Sequence, residues 1–329
     1  MLVVGYEGAE LLEIACVTST LIAACVEGRG AHYDVRLLTP GGRTINCADG
    51  LRIEAQGVLE RHREPADTLI VVGGFGAAHA ADDQRLVGHV RRLAALTRRV
   101  ASVCTGAGVL AAAGLLDGRR AATHWDFAPE LARRYPKVKF DPDPIYIRDG
   151  SIYTSAGVTA ALDLTLALVA EDLGAELARS VARALVTYLQ RPGNQAQISV
   201  HVAAPVPSDP VMREVVDHIT SNLGKDLSTP ALAARAGISA RHLRRLFQTH
   251  VGQSPARYVR RARTEAAAQL VSSSELPLAR IAERCGFGTT ESLRTAFLDT
   301  YGVPPSSYAP RRAPSAGKAH LRTELRTGS

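Results

Sequence analysis

RVASVCTGAGVLAAAGLL, residues 99–116, decides the fold of the N-terminal part of this chain. Its first residues are small and apolar, as in a strand that is buried on both faces of a sheet. Cys104 ends this run, and Gly106 and Gly108 permit a tight turn into a helix. A residue on such a turn projects into the crevice at the carboxyl ends of parallel strands. The stretch therefore predicts a doubly wound α/β domain with Cys104 in its crevice.

The sequence around this stretch continues the same rhythm. Runs rich in Val, Ile and Leu alternate with long helical patterns, which is typical of βαβ units and a parallel sheet covered on both faces. We therefore expect an α/β, flavodoxin-like doubly wound parallel sheet. The further strand candidates are residues 1–6, 33–39 and 67–74, whereas residues 149–157 indicate a hairpin or edge strand and residues 158–174 a buried helix.

The composition, 46% hydrophobic and 22% charged, is that of an ordinary globular protein. Its five cysteines form no C-x-x-C pair, which argues against a disulfide framework or a zinc site and fits a reducing cytoplasm. We expect no metal and no cofactor. The start MLVVGYEGAELLEIAC lacks a basic leader and contains three glutamates, so a signal peptide is not expected. No run approaches about 18 apolar residues, so neither a membrane span nor a membrane partner is expected.

Positive charge is concentrated in the C-terminal third of the chain. The net charge is +7, but residues 1–210 contain 21 basic and 23 acidic side chains, whereas residues 211–329 contain 18 and 9. Nearly all of these basic residues are arginines, whose planar forks suit phosphates and guanine edges. A polyanionic partner is therefore the leading interpretation, and a solvated basic surface is the alternative.

Two stretches without apolar periodicity divide the chain. Pro205, Pro207 and Pro210 follow a polar Gly-Asn-Gln stretch, which marks a domain boundary. The last residues have the composition of a disordered segment. We therefore predict an N-terminal domain at 1–192, a linker at 193–208, a second domain at 209–312 and a disordered tail at 313–329.

Residues 232–258 and 281–308 are two copies of one sequence unit. A first pair of glycines is separated by 49 residues, and after one inserted residue five further anchors recur at an interval of 50. Anchors that match at a fixed interval indicate a duplicated supersecondary unit. They are Gly237/Gly286, Leu243/Leu293, Phe247/Phe297, Gly252/Gly302, Pro255/Pro305 and Tyr258/Tyr308.

Each copy has the pattern of a helix, a glycine-containing turn and a second helix. In the first copy Ser228 or Thr229 can cap the first helix, Gly237 ends it and Ser239 can cap the next one. Apolar residues at intervals of three and four then leave a polar face outside. This is the pattern of a helix-turn-helix, whose second helix enters the major groove of DNA, and a pair of structural hairpins is the alternative. The residues predicted to face DNA are Arg241, His242, Arg244 and Arg245 in the first copy and Thr290, Glu291 and Arg294 in the second.

Residues 209–312 resemble the DNA-binding domain of the AraC/XylS family over its full length. The resemblance is carried by LAARAGISARHLRRLFQTHVGQSPARYVRRAR and IAERCGFGTTESLRTAFLDTYGVPPSSY. It implies two helix-turn-helix units that are joined by a helix at 257–271 and enter successive major grooves of double-stranded DNA. Leu293 stands where the family usually has phenylalanine, and Ala309 stands where arginine is common, which puts one phosphate contact in doubt.

Cys104 could act as a nucleophile only with a base within hydrogen-bond reach of its sulfur. The candidates are His124 and Glu13. The start of the following helix would stabilise a thiolate, and backbone N–H groups in residues 71–77 could hold an oxyanion. The alternatives are an inert small residue for Cys104, a structural role for His124 and a helical surface carboxylate for Glu13.

Residues 1–192 resemble the PfpI-like branch of the class I glutamine amidotransferase-like superfamily. VCTGAGVLAAAGLLDGRRAATHWDFAPELARRYP carries this resemblance, with support from IYTSAGVTAALDLTLALV and ARALVTYLQRPGNQAQ. The best match within the branch is to the GlxA-type regulators, which fuse such a domain to AraC-type units. Thr105 stands where PfpI peptidases have a histidine, which removes the supposed base and argues against peptidase activity.

The two resemblances together imply a sequence-specific transcriptional regulator and not an enzyme. They also imply a homodimer through the N-terminal domain, and they admit RNA polymerase as a further partner. A Cys104-dependent enzyme, such as a hydratase or a glyoxalase-like activity, and a thiol redox sensor are the alternatives. An unknown small-molecule effector is expected in the N-terminal crevice, near Glu13, Gly74, Phe75, Cys104, Thr105 and His124.

Overall fold

The computed structural model of the chain describes residues 1–28, 30, 33–187, 191, 193–195, 197, 209–274 and 276–308. The predicted linker lies mostly outside these residues. The predicted tail at 313–329 and Ala309 lie wholly outside them.

The N-terminal part is built on strands that match the apolar runs of the sequence. The strands within the described residues are β1 (Leu2–Val4), β2 (Arg36–Thr39), β3 (Ile45–Asn46), β4 (Arg52–Ile53), β5 (Gly57–Val58), β6 (Ala66–Val71), β7 (Thr97–Val103), β8 (Arg120–Ala122), β9 (Lys139–Asp141), β10 (Tyr146–Asp149) and β11 (Ile152–Ser155).

Seven of these strands form one sheet in the order β10-β11-β7-β6-β1-β2-β5. Every neighbouring pair is parallel except β10 and β11, which form the predicted hairpin. The order β2-β1-β6-β7-β11 is that of flavodoxin-like folds, so the predicted fold class is confirmed. In such folds ligands bind where the strand order reverses, which here is at the carboxyl ends of β1 and β6.

Helices cover both faces of this sheet. They are α1 (Leu11–Glu27), α2 (Ala77–Asp82), α3 (Gln84–Ala94), α4 (Gly106–Ala112), α5 (Ala128–Arg134), α6 (Ala160–Leu173) and α7 (Ala175–Ala184). Helices α1, α6 and α7 pack together, as do α2, α3 and α4, and one continuous apolar core joins them to the sheet. The buried helix predicted at 158–174 is α6.

The amino ends of the strands, opposite the crevice, hold a buried arginine. Arg99 is 2% exposed; it donates from Nε to the Thr68 hydroxyl at 2.7 Å and forms an ion pair with Asp172 in α6. This pair joins the start of β7 to the end of α6. A polar cavity of about 480 Å³ lies beside it, and the charged groups of Arg98, Asp67 and Asp172 that line it already pair with one another.

The C-terminal part consists of helices, as predicted. They are α8 (Pro210–Ser221), α9 (Thr229–Arg235), α10 (Ala240–Val251), α11 (Pro255–Ser273), α12 (Leu278–Arg284), α13 (Thr290–Tyr301) and α14 (Pro305–Tyr308). In the described ranges of the chain, none of the helices combines the length and the apolar character needed to span a bilayer.

The repeat anchors occupy equivalent places in the two helical units. Phe247 packs edge-on against Tyr258 in the first unit, and Phe297 packs edge-on against Tyr308 in the second. Leu243 and Leu293 are both fully buried, while Gly252 and Gly302 end α10 and α13 in the left-handed conformation. The duplicated helix-turn-helix pattern is therefore confirmed, with Ser228 capping α9 and Ser239 capping α10.

Candidate functional site

Cys104 lies on a strained turn between β7 and α4, which we call the elbow. Its φ of 54° is positive, which disfavours an L residue by roughly 1–3 kcal/mol. The turn is held because the Cys104 N–H donates to the Ser155 carbonyl at 2.9 Å and the Thr123 hydroxyl donates to the Cys104 carbonyl at 2.9 Å. A Cβ at Gly157 would lie 2.6 Å from the Cys104 sulfur, so only glycine lets this backbone cover the thiol. Cys104 is consequently buried beneath the crevice.

Glu13 lies directly beside this thiol and is not a surface residue. Its side chain is 0% exposed; Oε2 accepts from the Gly73 N–H at 2.7 Å, and Oε1 accepts from the Val158 N–H at 3.1 Å. The interpretation of Glu13 as a helical surface carboxylate is therefore wrong, because helix α1 turns this position towards the sheet. Burial raises the pKa of the Glu13 carboxyl, although its backbone hydrogen bonds oppose the shift.

The environment of Cys104 disfavours a thiolate. Burial raises the pKa of the Cys104 thiol well above its usual value, and the neighbouring Glu13 carboxyl raises it further. Hydrogen bonds from Thr105, at the start of α4, lower the pKa as predicted, but burial and Glu13 outweigh them, so the thiol form is favoured at neutral pH.

Thr105 occupies the backbone groups that a reactive site would need. The Gly74 N–H donates to Thr105 Oγ1 at 3.0 Å, and the same hydroxyl donates to the Gly74 carbonyl at 3.1 Å. The Gly73 N–H is already bonded to Glu13. The N–H groups of Gly73 and Gly74, two of those in the predicted oxyanion segment, therefore have partners within the protein, and an oxyanion would have to displace them.

His124 is half-buried among its own sequence neighbours. Its ring stacks on Trp125, with centroids 5.7 Å apart, and lies edge-on to Phe127. The Asp126 N–H donates to His124 Nδ1 at 3.3 Å, and burial lowers the pKa of the imidazole. No hydrogen bond joins His124 to Cys104 among the residues that the structure describes. The contacts are those of the structural alternative, so Cys104 has no histidine base here.

A cavity of about 180 Å³ opens beside the elbow. Of the residues predicted to meet an effector, Gly74, Phe75 and Thr105 line it, whereas Glu13 and Cys104 lie buried nearby and His124 is not part of its wall. The remaining wall comes from α2, α4 and α5, which sequence reasoning did not connect to the crevice because they lie far apart in the chain. These wall residues are Ala77, Ala78, Ala81, Gly108, Phe127, Glu130, Leu131, Arg134 and Tyr135.

The two recognition helices, α10 and α13, differ in charge. Arg241, Arg244 and Arg245 are exposed on α10, and no carboxylate lies within ion-pair distance of them in the described part of the chain. On α13 the exposed Arg294 forms an ion pair with Glu291 at 3.5 Å. Of the two recognition helices, α10 therefore presents the free positive charge.

We expect Cys104 to react slowly in the folded protein, because its thiol is buried and protonated. At pH 7.5, iodoacetamide should alkylate Cys104 at least about tenfold more slowly in the native chain than in the urea-unfolded chain. Peptide mass spectrometry measures this ratio, with the partly buried Cys25 as an internal control. Equal rates in the two states would mean that the thiol is open and reactive.

Two family models match the chain. Residues 1–171 match the DJ-1/PfpI family, and residues 232–311 match a helix-turn-helix domain. The HTH-type transcriptional regulator GlxA of Rhizobium meliloti is 31% identical over 297 residues, which cover 90% of this chain and 91% of that protein. The resemblance to GlxA-type regulators is thereby confirmed.

Two further proteins are similar to the N-terminal part of the chain. A solved THiJ/PfpI family protein from Pseudomonas syringae superposes with a TM-score of 0.54 at 22% identity, over 72% of this chain and 90% of that one, which shows a shared fold. Isonitrile hydratase of Pseudomonas putida is 40% identical over 118 residues, or 35% of this chain and 49% of the enzyme. The match to a named enzyme is thus partial, whereas the match to a regulator spans most of the chain. The chain therefore belongs to the DJ-1/PfpI family, among those members that join this domain to a helix-turn-helix domain and are transcriptional regulators.

Proposed function

We propose that the protein regulates transcription by binding specific DNA sequences through α10 and α13, under the control of a small molecule in the cavity beside Cys104. The duplicated helix-turn-helix, with three unpaired arginines on α10, carries this proposal. We also propose that the chain is divided into domains at 1–192 and 209–312, which a linker at 193–208 connects. RNA polymerase enters as a partner on the family resemblance alone.

The two recognition helices are assigned different tasks. Exposed arginines without carboxylate partners can neutralise phosphates or fork onto guanine, so α10 is expected to supply more of the affinity. On α13 the pairing of Arg294 with Glu291 reduces the net charge, while Thr290 and Glu291 offer hydrogen-bonding groups to base edges. Helix α13 is therefore expected to supply relatively more of the discrimination.

Salt dependence separates these tasks. Replacing Arg241 and Arg245 by alanine should lower the slope of log Kd against log salt by about 2, because about one counterion is released per phosphate contact. Replacing Thr290 and Arg294 by alanine should change that slope by less than about 1. It should also lower the ratio of the affinity for the selected DNA to the affinity for random DNA. Fluorescence anisotropy at several salt concentrations, on DNA selected from random sequence by the purified protein, measures both quantities.

The matched control removes the same charge from the N-terminal part. Arg85→Ala with Arg133→Ala changes two exposed arginines that lie on α3 and α5. This control should leave the slope unchanged. Equal slopes for the α10 and α13 variants would contradict the division of tasks.

The cavity beside the elbow suits a small, partly apolar effector. Alanines of α2 and the side chains of Phe127 and Leu131 give it an apolar wall. Glu130, Arg134 and Tyr135 add polar groups to the same wall. Phe75, which is 82% exposed at the rim, offers an aromatic surface to the same molecule. Such an effector controls DNA binding only if it binds two states of the protein with different affinity.

Filling this cavity should abolish the effector response. Ala78→Met places a longer side chain on its wall, whereas His79→Met changes the exposed neighbour that does not line it. The screen is a thermal-shift assay with small organic acids, amines and alcohols. A ligand at a concentration of about 100 times its Kd raises the free energy of unfolding by about 2.7 kcal/mol. The native chain and His79→Met should respond to the same compounds, and Ala78→Met should not. A response that survives in Ala78→Met would place the effector elsewhere.

We also propose that the protein acts as a homodimer through its N-terminal part. Helix α1 carries no charged residue between Glu13 and Glu27, yet Leu12, Ile22 and Val26 on its outer face are 47%, 50% and 72% exposed. Large apolar side chains exposed on one face often mark a contact with another protein, so this face, which also contains the exposed Ser19, suits the same face of a second copy. A dimer would present four helix-turn-helix units to DNA, and its operator would contain each recognition sequence twice.

A further inference from the structure

The two turn glycines of the repeat have the same backbone conformation but different surroundings. Gly237 follows α9 with a φ of 66°, and Gly286 follows α12 with a φ of 75°. A Cβ added at Gly237 would meet no atom within 4 Å. A Cβ at Gly286 would overlap the carbonyl oxygen of Leu223 and lie 2.8 Å from Cζ of Arg263. The left-handed turn therefore favours glycine in both units, but only the second unit needs glycine for close approach.

Gly286 lies against the loop between α8 and α9, which belongs to the first unit. Arg263 of α11 holds this loop, because its Nε donates to the Leu223 carbonyl at 2.9 Å and one terminal nitrogen donates to the Lys225 carbonyl at 2.7 Å. Gly224 approaches the second unit in the same way, since a Cβ there would lie 3.2 Å from the Arg284 carbonyl oxygen. We call these five residues, Leu223, Gly224, Lys225, Arg263 and Gly286, the junction.

The junction supplies contacts between the two helical units, which the apolar cores do not. Helix α11 contributes Tyr258, Val259 and Ala262 to the core of the first unit, and it contributes Ala267 and Ala268 to a separate core in the second. Apolar packing therefore fixes each unit internally, while the orientation between the units depends on α11 and on contacts that cross from one unit to the other. Arg263 stands on the turn of α11 between the two cores.

We propose that Arg263 and Gly286 are positioning residues, which fix the second recognition helix relative to the first so that both enter their grooves at once. The proposal rests on the proposed DNA-binding function. When two linked contacts fit their targets together, the second forms at a high effective concentration, and this advantage is lost when the geometry is wrong. Arg263 acts through backbone carbonyls of the protein and not through a contact with DNA.

The test compares the two equivalent glycines. Gly286→Ala and Gly237→Ala impose the same left-handed strain on an alanine, but only Gly286→Ala pushes against the junction. Arg263→Lys keeps the charge and removes the planar fork that spans two carbonyls. Each full-length variant is titrated by anisotropy with the selected operator, with an operator in which the sequence read by α13 is scrambled wherever it occurs, and with operators whose spacer between the α10 and α13 sequences is one base pair longer or shorter.

The native chain should bind the complete operator about 100-fold or more tightly than the scrambled one, and a changed spacer should weaken binding strongly. Gly286→Ala and Arg263→Lys should retain the affinity for the scrambled operator within about threefold. In both variants the ratio of the affinity for the complete operator to that for the scrambled one should fall by about tenfold or more. Their spacer preference should also flatten. Gly237→Ala should keep both the advantage and the spacer preference.

Several results would overturn the proposal. One is an unchanged advantage and spacer preference in Arg263→Lys; this variant carries the test if circular dichroism shows that Gly286→Ala does not fold. Another is an equal loss of affinity for both operators in Arg263→Lys, which would mean that Arg263 contacts DNA. If the native chain itself prefers no DNA sequence, the proposed function fails. If the native chain does select a sequence and the variants bind as it does, only the positioning proposal fails.

Discussion

One helix, α11, contributes residues to two separate apolar cores, and among the described residues it is the only element that the two cores share. Its first half belongs to the core around Phe247, and its second half belongs to the core around Phe297. A rod of this kind sets the separation of α10 and α13, and separation is what allows two helices to enter successive major grooves. The duplicated aromatic pairs pack the core of each unit, so the placement of α10 relative to α13 depends on α11 and on the contacts that cross between the units.

The N-terminal site keeps the shape of a reactive elbow while its chemistry is changed. Cys104 still occupies the strained turn after β7, but its sulfur is covered by Gly157 and stays protonated beside Glu13. The Thr105 hydroxyl accepts from the Gly74 N–H, which a substrate oxyanion would otherwise need, and it donates to the Gly74 carbonyl. These contacts hold the backbone of the crevice in place, and the cavity proposed for the effector lies next to it. A hydratase-like or redox function would require this buried arrangement to open.

Local sequence patterns predicted most of the fold for physical reasons. Runs of Val, Ile and Leu mark strands buried on both faces, and the recurrence of Gly, Leu, Phe and Tyr marks a duplicated unit whose anchors pack alike. What escaped prediction depends on contacts between distant segments. Tertiary packing buries Glu13 and Arg99 and brings α2 and α5 to the wall of the cavity. It also gives Gly237 and Gly286 different surroundings. No local pattern distinguishes those two glycines, since both follow similar helices.

Hydroxyl-radical footprinting of the full-length protein on its selected operator tests the central claim most directly. Two recognition helices on one face of DNA should protect two short segments about 10 base pairs apart, and a homodimer should protect two such pairs. Protection should depend on sequence and persist at physiological salt. A single protected segment, or uniform protection of unrelated DNA, would contradict the account of a regulator that reads two successive grooves.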